Sequence, residues 1–307
     1  GGLSSSSSSS SSFSSSSSPA AMVRSWRLSR LGRFASSFDA SRYHAQVLFV
    51  DDDGSRARTC EALLERVAMW ADAGWWIYPH AVSTSNNVAD GDAPPPSLLA
   101  SASAFGLCRG RLAARATTLE ADDLSAYDVV VCVDYTVLEQ VRALARDQVE
   151  AGADAAEVEA AEASVLCLTD FLAFEGADRM EALDEELRDL VARHYTAAAA
   201  LTELPSVAPS DAAQWEQFLA CAVLGCAALT SCLKERIDLW FVDAFLELLE
   251  ATYPTSALLE GVHWAEAEEV LRRHQVTGGL DPRERKRLFG EHCERLRQRE
   301  GGARRGD

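Results

Sequence analysis

Lysine is almost missing from this chain. Lys234 and Lys286 are the only two, and against 29 basic residues stand 47 acidic ones, for a formal net charge of −18. That balance argues against nucleic acid or an anionic membrane as partner of the body of the chain, since both are polyanions. Long apolar runs are missing too. None reaches the ~20 residues of a membrane-spanning helix, and the longest candidate, around Phe218–Leu229, is rich in Ala, Gly and Cys. No Cys-x-x-Cys pair occurs among the eight cysteines, and the six histidines are equally scattered. Such spacing suits buried thiols in a reducing compartment, not a disulfide framework or a zinc site. Finally, no acidic residue precedes Asp39.

That last absence marks a leader. Serines run almost unbroken from Ser4 to Ser18, and Arg24, Arg27, Arg30 and Arg33 follow before the first acid. A Ser-rich, Arg-bearing, acid-free segment has the composition of an organellar transit peptide. Residues 1–38 are therefore expected to be a disordered targeting leader, and the serine excess favours a chloroplast or other plastid, with the mitochondrion as the alternative.

Beyond the leader, 48% hydrophobic and 25% charged residues are ordinary for a globular chain. The stretch that organises it is Val47–Ala68. Val47-Leu48-Phe49-Val50 has the length and branching of a buried strand; Asp51-Asp52-Asp53-Gly54-Ser55 is turn-prone; Leu63, Leu64 and Val67 fall on one helix face. Strand, loop and helix in that order open an α/β sheet whose ligands sit at the carboxyl ends of the strands. A second strand is expected at Trp75–Tyr78, leading into a polar loop from His80. A helix is expected over Leu98–Leu107. The clearest strand is Tyr127–Val133, with Asp134 at its carboxyl end, and a fourth spans Ser164–Leu168. Helices are expected over Tyr135–Ala145, Ala151–Ala163 and Asp178–Ala200, and after a break at Pro205–Ser210 over Ala212–Arg236. From there the strand signal disappears: Asp238–Tyr253, Ala265–Gln275 and Pro282–Arg299 all read as helices, the last capped by Asp281. The fold class is thus α/β, a doubly wound parallel four-stranded sheet over 44–236, with an all-helical C-terminal extension over 237–307.

These pieces in this order resemble the low-molecular-weight protein tyrosine phosphatase family, from Val47 to about Glu235. Val47–Val50, the polar loop and Glu61-Ala62-Leu63 are similar to that family's first strand, phosphate loop and first helix. Pro79–Ser85 resembles its second strand, ending in small hydroxyl residues. Ala114-Arg115 with Leu119–Leu124 resembles the approach to its third strand, Tyr127–Asp134 that strand with its terminal acid, and Trp215–Glu235 the closing helix. The resemblance implies a Cys-x5-Arg-Ser loop, in which backbone N–H groups and the arginine cradle a phosphoryl group and a low-pKa thiolate attacks it. It also implies an Asp-Pro acid that protonates the leaving group.

Here the thiolate position is Asp51. The degenerate loop runs Asp51, Asp52, Asp53, Gly54, Ser55, Arg56, Ala57, Arg58; counting back from Glu61-Ala62 makes Arg56 the counterpart of the family's arginine. No Asp-Pro lies between Glu175 and Trp215, and Pro209-Ser210-Asp211 is the nearest candidate. Like charges ~4 Å apart repel by about 4 kcal/mol at an effective dielectric near 20, so three carboxylates at the cradle oppose a dianion. The cysteine mechanism is excluded.

A second resemblance is to a two-component receiver domain, which would make Asp134 a phospho-acceptor beside a magnesium-binding acidic cluster. The 83 residues from Asp51 to Asp134 and the missing lysine after the last strand count against it. Asp51 and Asp52 could still offer oxygens to a hard cation. The expectation is a catalytically inactive phosphatase-like protein with no cofactor. It would act as a binding or structural module whose protein partners dock on the C-terminal helices. The alternatives are an active or metal-assisted phosphatase and a receiver-like domain.

Overall fold

In the computed structural model the described residues are 44–84, 106–107, 109–150, 164–173, 183–200 and 212–303, with positions 93, 99, 152, 154, 156, 162 and 204. The leader, the Pro205–Ser210 break, and most of the helices expected over 98–107 and 151–163 lie outside them.

Four parallel strands form the sheet: β1 (Ala45–Asp51), β2 (Ile77–Ser83), β3 (Val129–Cys132) and β4 (Val165–Cys167), in the order β2-β1-β3-β4. Asp51 pairs in register with Ser83, and Val50 with Cys132. Burial on both faces explains the unbroken apolar reading of β1. Val47 and Phe49 face a core built with α1 (Ser55–Trp70), α5 (Glu185–Ala200) and α6 (Ala212–Thr252). Leu48 and Val50 face the other way, onto Val137, Leu138 and Val141 of α4 (Tyr135–Glu150). Among the described residues, the short helices α2 (Arg109–Leu112) and α3 (Asp123–Ala126) lie between β2 and β3. Helices on both faces of a parallel sheet make the doubly wound class expected from the sequence.

Two expectations are corrected. The second strand is Ile77–Ser83, so Trp75 and Trp76 belong to the preceding turn and His80 to the strand. Pro79 reads as a breaker, but β2 is an edge strand, and an edge tolerates a residue without an N–H. The helices expected over Ala212–Arg236 and Asp238–Tyr253 are one, α6, of 41 residues. Glu235-Arg236-Ile237-Asp238 holds no glycine or proline to stop it, so the boundary drawn between residues 236 and 237 falls inside a helix.

α6 changes character along its length. From Phe218 to Thr230 every residue is buried. Beyond that a single stripe, Leu233, Ile237, Phe241, Phe245 and Leu249, recurs every fourth residue and stays buried. By length and mean hydropathy (1.6) the helix could cross a membrane, but 83% of its apolar window is already buried within the protein. The stripe is covered by α7 (Trp264–Leu271), a 3-10 turn at Gln275–Gly279 and α8 (Pro282–Ala303). Leu288, Phe289 and Leu296 of α8 are buried, and Asp281 Oδ1 accepts the Arg283 N–H at 2.7 Å as the cap expected from the sequence. Phe241 lies flat against Gly279, where a Cβ would come within 2.3 Å of its ring.

Candidate functional site

Every strand delivers a polar residue to the carboxyl edge of the sheet. Asp51 ends β1 and Ser83 ends β2; Asp134 follows β3 by two residues and Asp170 follows β4 by three. The loop from Asp51 turns into α1 at Gly54, whose φ of +77° is the left-handed region that only glycine enters freely. α1 then begins at Ser55, which places Arg56 and Arg58 in its first turns.

Arg56 is the centre of the site. Its Nε and Nη2 lie 3.0 and 2.5 Å from Asp51 Oδ1, and its Nη1 lies 2.8 Å from Asp134 Oδ2. All three side chains are closed off from solvent, at 1% exposure or less. The main-chain donors are occupied as well. The N–H groups of Asp52 and Arg56 donate to the two oxygens of Asp51, at 2.7 and 2.8 Å, and that of Ser55 donates to Asp53 Oδ1 at 2.8 Å. Asp134 Oδ1 accepts the Val137 N–H at 2.9 Å and so also caps α4. The loop thus folds around its own carboxylate. Burial pushes the Asp51 carboxyl above its ordinary value, against the opposing pull of Arg56.

The remaining loop residues are less committed. Asp52 is half-buried and Asp53 exposed. Burial lowers the buried Arg58 guanidinium from its ordinary value, opposed by Glu61 and Asp53. The Ser55 and Ser83 hydroxyls are buried without a hydrogen-bond partner. Among the described residues no three His, Cys, Asp or Glu side chains cluster as metal ligands. The Asp51–Asp52 pair offered for a hard cation is committed to Arg56 on the Asp51 side.

No thiol replaces the missing nucleophile among the described residues. Cys60 lies in the second turn of α1, fully buried, and burial raises it well above the ordinary thiol value. Cys167, the last residue of β4, is pushed up to about 12 for the same reason. A thiol is useful as a nucleophile only as thiolate, so neither supplies one near neutral pH. Asp134, the phospho-acceptor of the receiver resemblance, is wholly buried beside Arg56. Pro209-Ser210-Asp211, the candidate acid, lies outside the described residues.

The sequence reading missed Asp170. Fully buried, it accepts the Tyr135 hydroxyl at 3.0 Å and the Cys167 N–H at 3.1 Å, tying the start of α4 to the end of β4. Its signal was a polar pair, Thr169-Asp170, just past an apolar strand. Thr84, past β2, reaches Gln140 of α4 at 2.8 Å by a similar tie.

No protein-family model and no curated protein matches the chain. Solved structures similar to it include YfkJ from Bacillus subtilis, at 14% identity over 62% of this chain and 96% of that one, with a TM-score of 0.44. A protein tyrosine phosphatase from Entamoeba histolytica is 12% identical over 62% and 96%, with a TM-score of 0.45. A low molecular weight protein tyrosine phosphatase from T. tengcongensis is 15% identical over 44% and 80%, with a TM-score of 0.32.

Proposed function

We propose that this chain is a phosphatase-like protein without phosphatase activity, serving as a binding module in a plastid. One observation carries the reading: Arg56, the counterpart of the family's phosphate-binding arginine, is held by Asp51 and Asp134 with all three side chains buried. A guanidinium so enclosed is not free to receive a phosphoryl group, and the loop N–H groups of Asp52 and Arg56 are taken by the same carboxylate. The leader's composition supports the location. A protein-binding role for the C-terminal extension, on which Leu239, Leu258 and Val270 stand exposed, is part of this proposal.

The test is hydrolysis of an aryl phosphate by the purified chain, with and without magnesium. The expected turnover is indistinguishable from buffer in both. An ordinary enzymatic rate, with kcat of about 1–10³ s⁻¹, would overturn the proposal, and dependence on magnesium would identify the metal-assisted alternative.

A further inference from the structure

We infer that the aromatic surface at the amino end of the sheet is a docking face for the chain's own leader, through residues Val23–Phe38. Met69, Trp70, Trp75 and Tyr78 are exposed at 70, 57, 58 and 47%. They fall within ten residues, around the turn that joins α1 to β2. Large apolar side chains scattered singly over a surface are ordinary, but a contiguous group that includes two tryptophans marks an interaction site. The rings are also fixed. Trp75 Nε1 donates to the Asp72 carbonyl at 3.2 Å, and the Tyr78 hydroxyl donates to the Trp75 carbonyl at 2.8 Å. Their polar atoms are satisfied by a neighbouring carbonyl, and about half of each side chain stays exposed. Beside them a groove of about 550 Å³ runs between α1, through Ala62, Glu65, Arg66, Met69 and Trp70, and Gly106 with Asp184 opposite.

The occupant is named by where the chain enters the fold. His44, the residue before β1, packs its ring edge-on against Tyr78 at 6.2 Å between centroids. The chain therefore enters β1 at this face. At most ~3.6 Å per residue separates Phe38 from His44, so the segment before it is tethered within reach at high effective concentration. Its chemistry fits as well. Trp26, Leu28, Leu31 and Phe34 supply apolar side chains for the groove, while Arg24, Arg27, Arg30 and Arg33 supply guanidinium groups for indole faces. The arginines are also attracted to a body in which acidic residues far outnumber basic ones. Removing the leader would uncover the aromatic face.

The experiment places a benzoylphenylalanine photoprobe at position 70, and in a second protein at position 78, of the full chain. Both sites are exposed, so neither probe disturbs the core; folding is checked by circular dichroism, and cross-linked peptides are mapped by mass spectrometry. The expected product joins the probe to residues 23–38 of the same molecule, in a yield unchanged by tenfold dilution. Arg27→Glu with Arg30→Glu should lower that yield at least fivefold. Failure of both probes to reach the leader would overturn the inference. So would a cross-link between copies that falls on dilution, which would assign the face to a second chain.

Discussion

Arg56 stands between two carboxylates in a place water does not reach, and this one residue decides both the chemistry and the local stability of the loop. Removing the cation while leaving its partners strands two buried negative charges. Breaking a buried ion pair in this way costs about 3–5 kcal/mol, so Arg56→Met should lower stability by that much in urea unfolding. Asp53→Ala, which removes only the acceptor of the Ser55 N–H, should cost about 1 kcal/mol. Equal effects would mean that Arg56 is not buried as described. A pH dependence follows from Asp51. Burial raises its carboxyl above the ordinary 3.8, so the folded state holds this proton more tightly than the unfolded state. The associated stability is fully present below the unfolded value and is lost as pH rises through the higher folded one. The stability of the wild type relative to Asp51→Asn should therefore fall as pH rises above the ordinary carboxyl value; a rise there would show Asp51 to be depressed instead. At this scale the sequence was legible in part. Asp51, Arg56 and Asp134 could be named from the loop and the strand end. Their mutual pairing could not, because it depends on β1 and β3 lying side by side across 83 residues. The sequence shows carboxylates that would repel a dianion, whereas the structure adds that Asp51 takes the loop N–H groups of Asp52 and Arg56.

Among the elements, α6 shows how a packed helix depends on single small residues. Gly225 sits against the turn after β4, where an added Cβ would lie 2.7 Å from Leu168 Cδ1 and 3.3 Å from its carbonyl oxygen. Alanine is the better helix former by about 1 kcal/mol, but overpacking a close contact costs about 1–3 kcal/mol. Gly225→Ala should therefore be destabilising on balance. Gly279→Ala should be worse, since the Phe241 ring would have to leave its place. Gly278→Ala, with nothing within 4 Å of its added Cβ, is the matched control and should stay within about 0.5 kcal/mol. Thermal unfolding of the three variants checks the order; a neutral Gly279→Ala would mean that Phe241 does not rest on that glycine. The strands and the amphipathic helices were readable from periodicity because each presents one consistent pattern. α6 was not, because its pattern changes midway from all-round burial to a one-in-four stripe. That change was mistaken for an interruption, although no breaker residue marks one.

For the whole molecule, the decisive fact is that α6 belongs to both halves. Its first half fills the core under the sheet, and its second half carries Phe241, Phe245 and Leu249 into the C-terminal helices. Leu271, Leu280, Leu288 and Phe289 join the same buried cluster there. The parallel sheet with helices on both faces followed from the alternation of strands and helices; the strand order did not. The unity of core and extension could not, since it rests on contacts such as Phe241 with Gly279 and Tyr253 with Phe289 that no local pattern announces. A cut at residue 237 would divide a helix, so the informative truncation leaves α6 whole and removes residues 255–307. Phe241, Phe245 and Leu249 would then face water. Uncovering a large apolar side chain costs about 1.5–3 kcal/mol, and a contiguous exposed row promotes association. The truncated chain should unfold at lower temperature, bind a hydrophobic dye and associate in sedimentation velocity, while Phe245→Ser in the same background should reduce the association. A truncated chain that stays monomeric and equally stable would show that α7 and α8 are an appendage, and would move the search for the partner surface away from them.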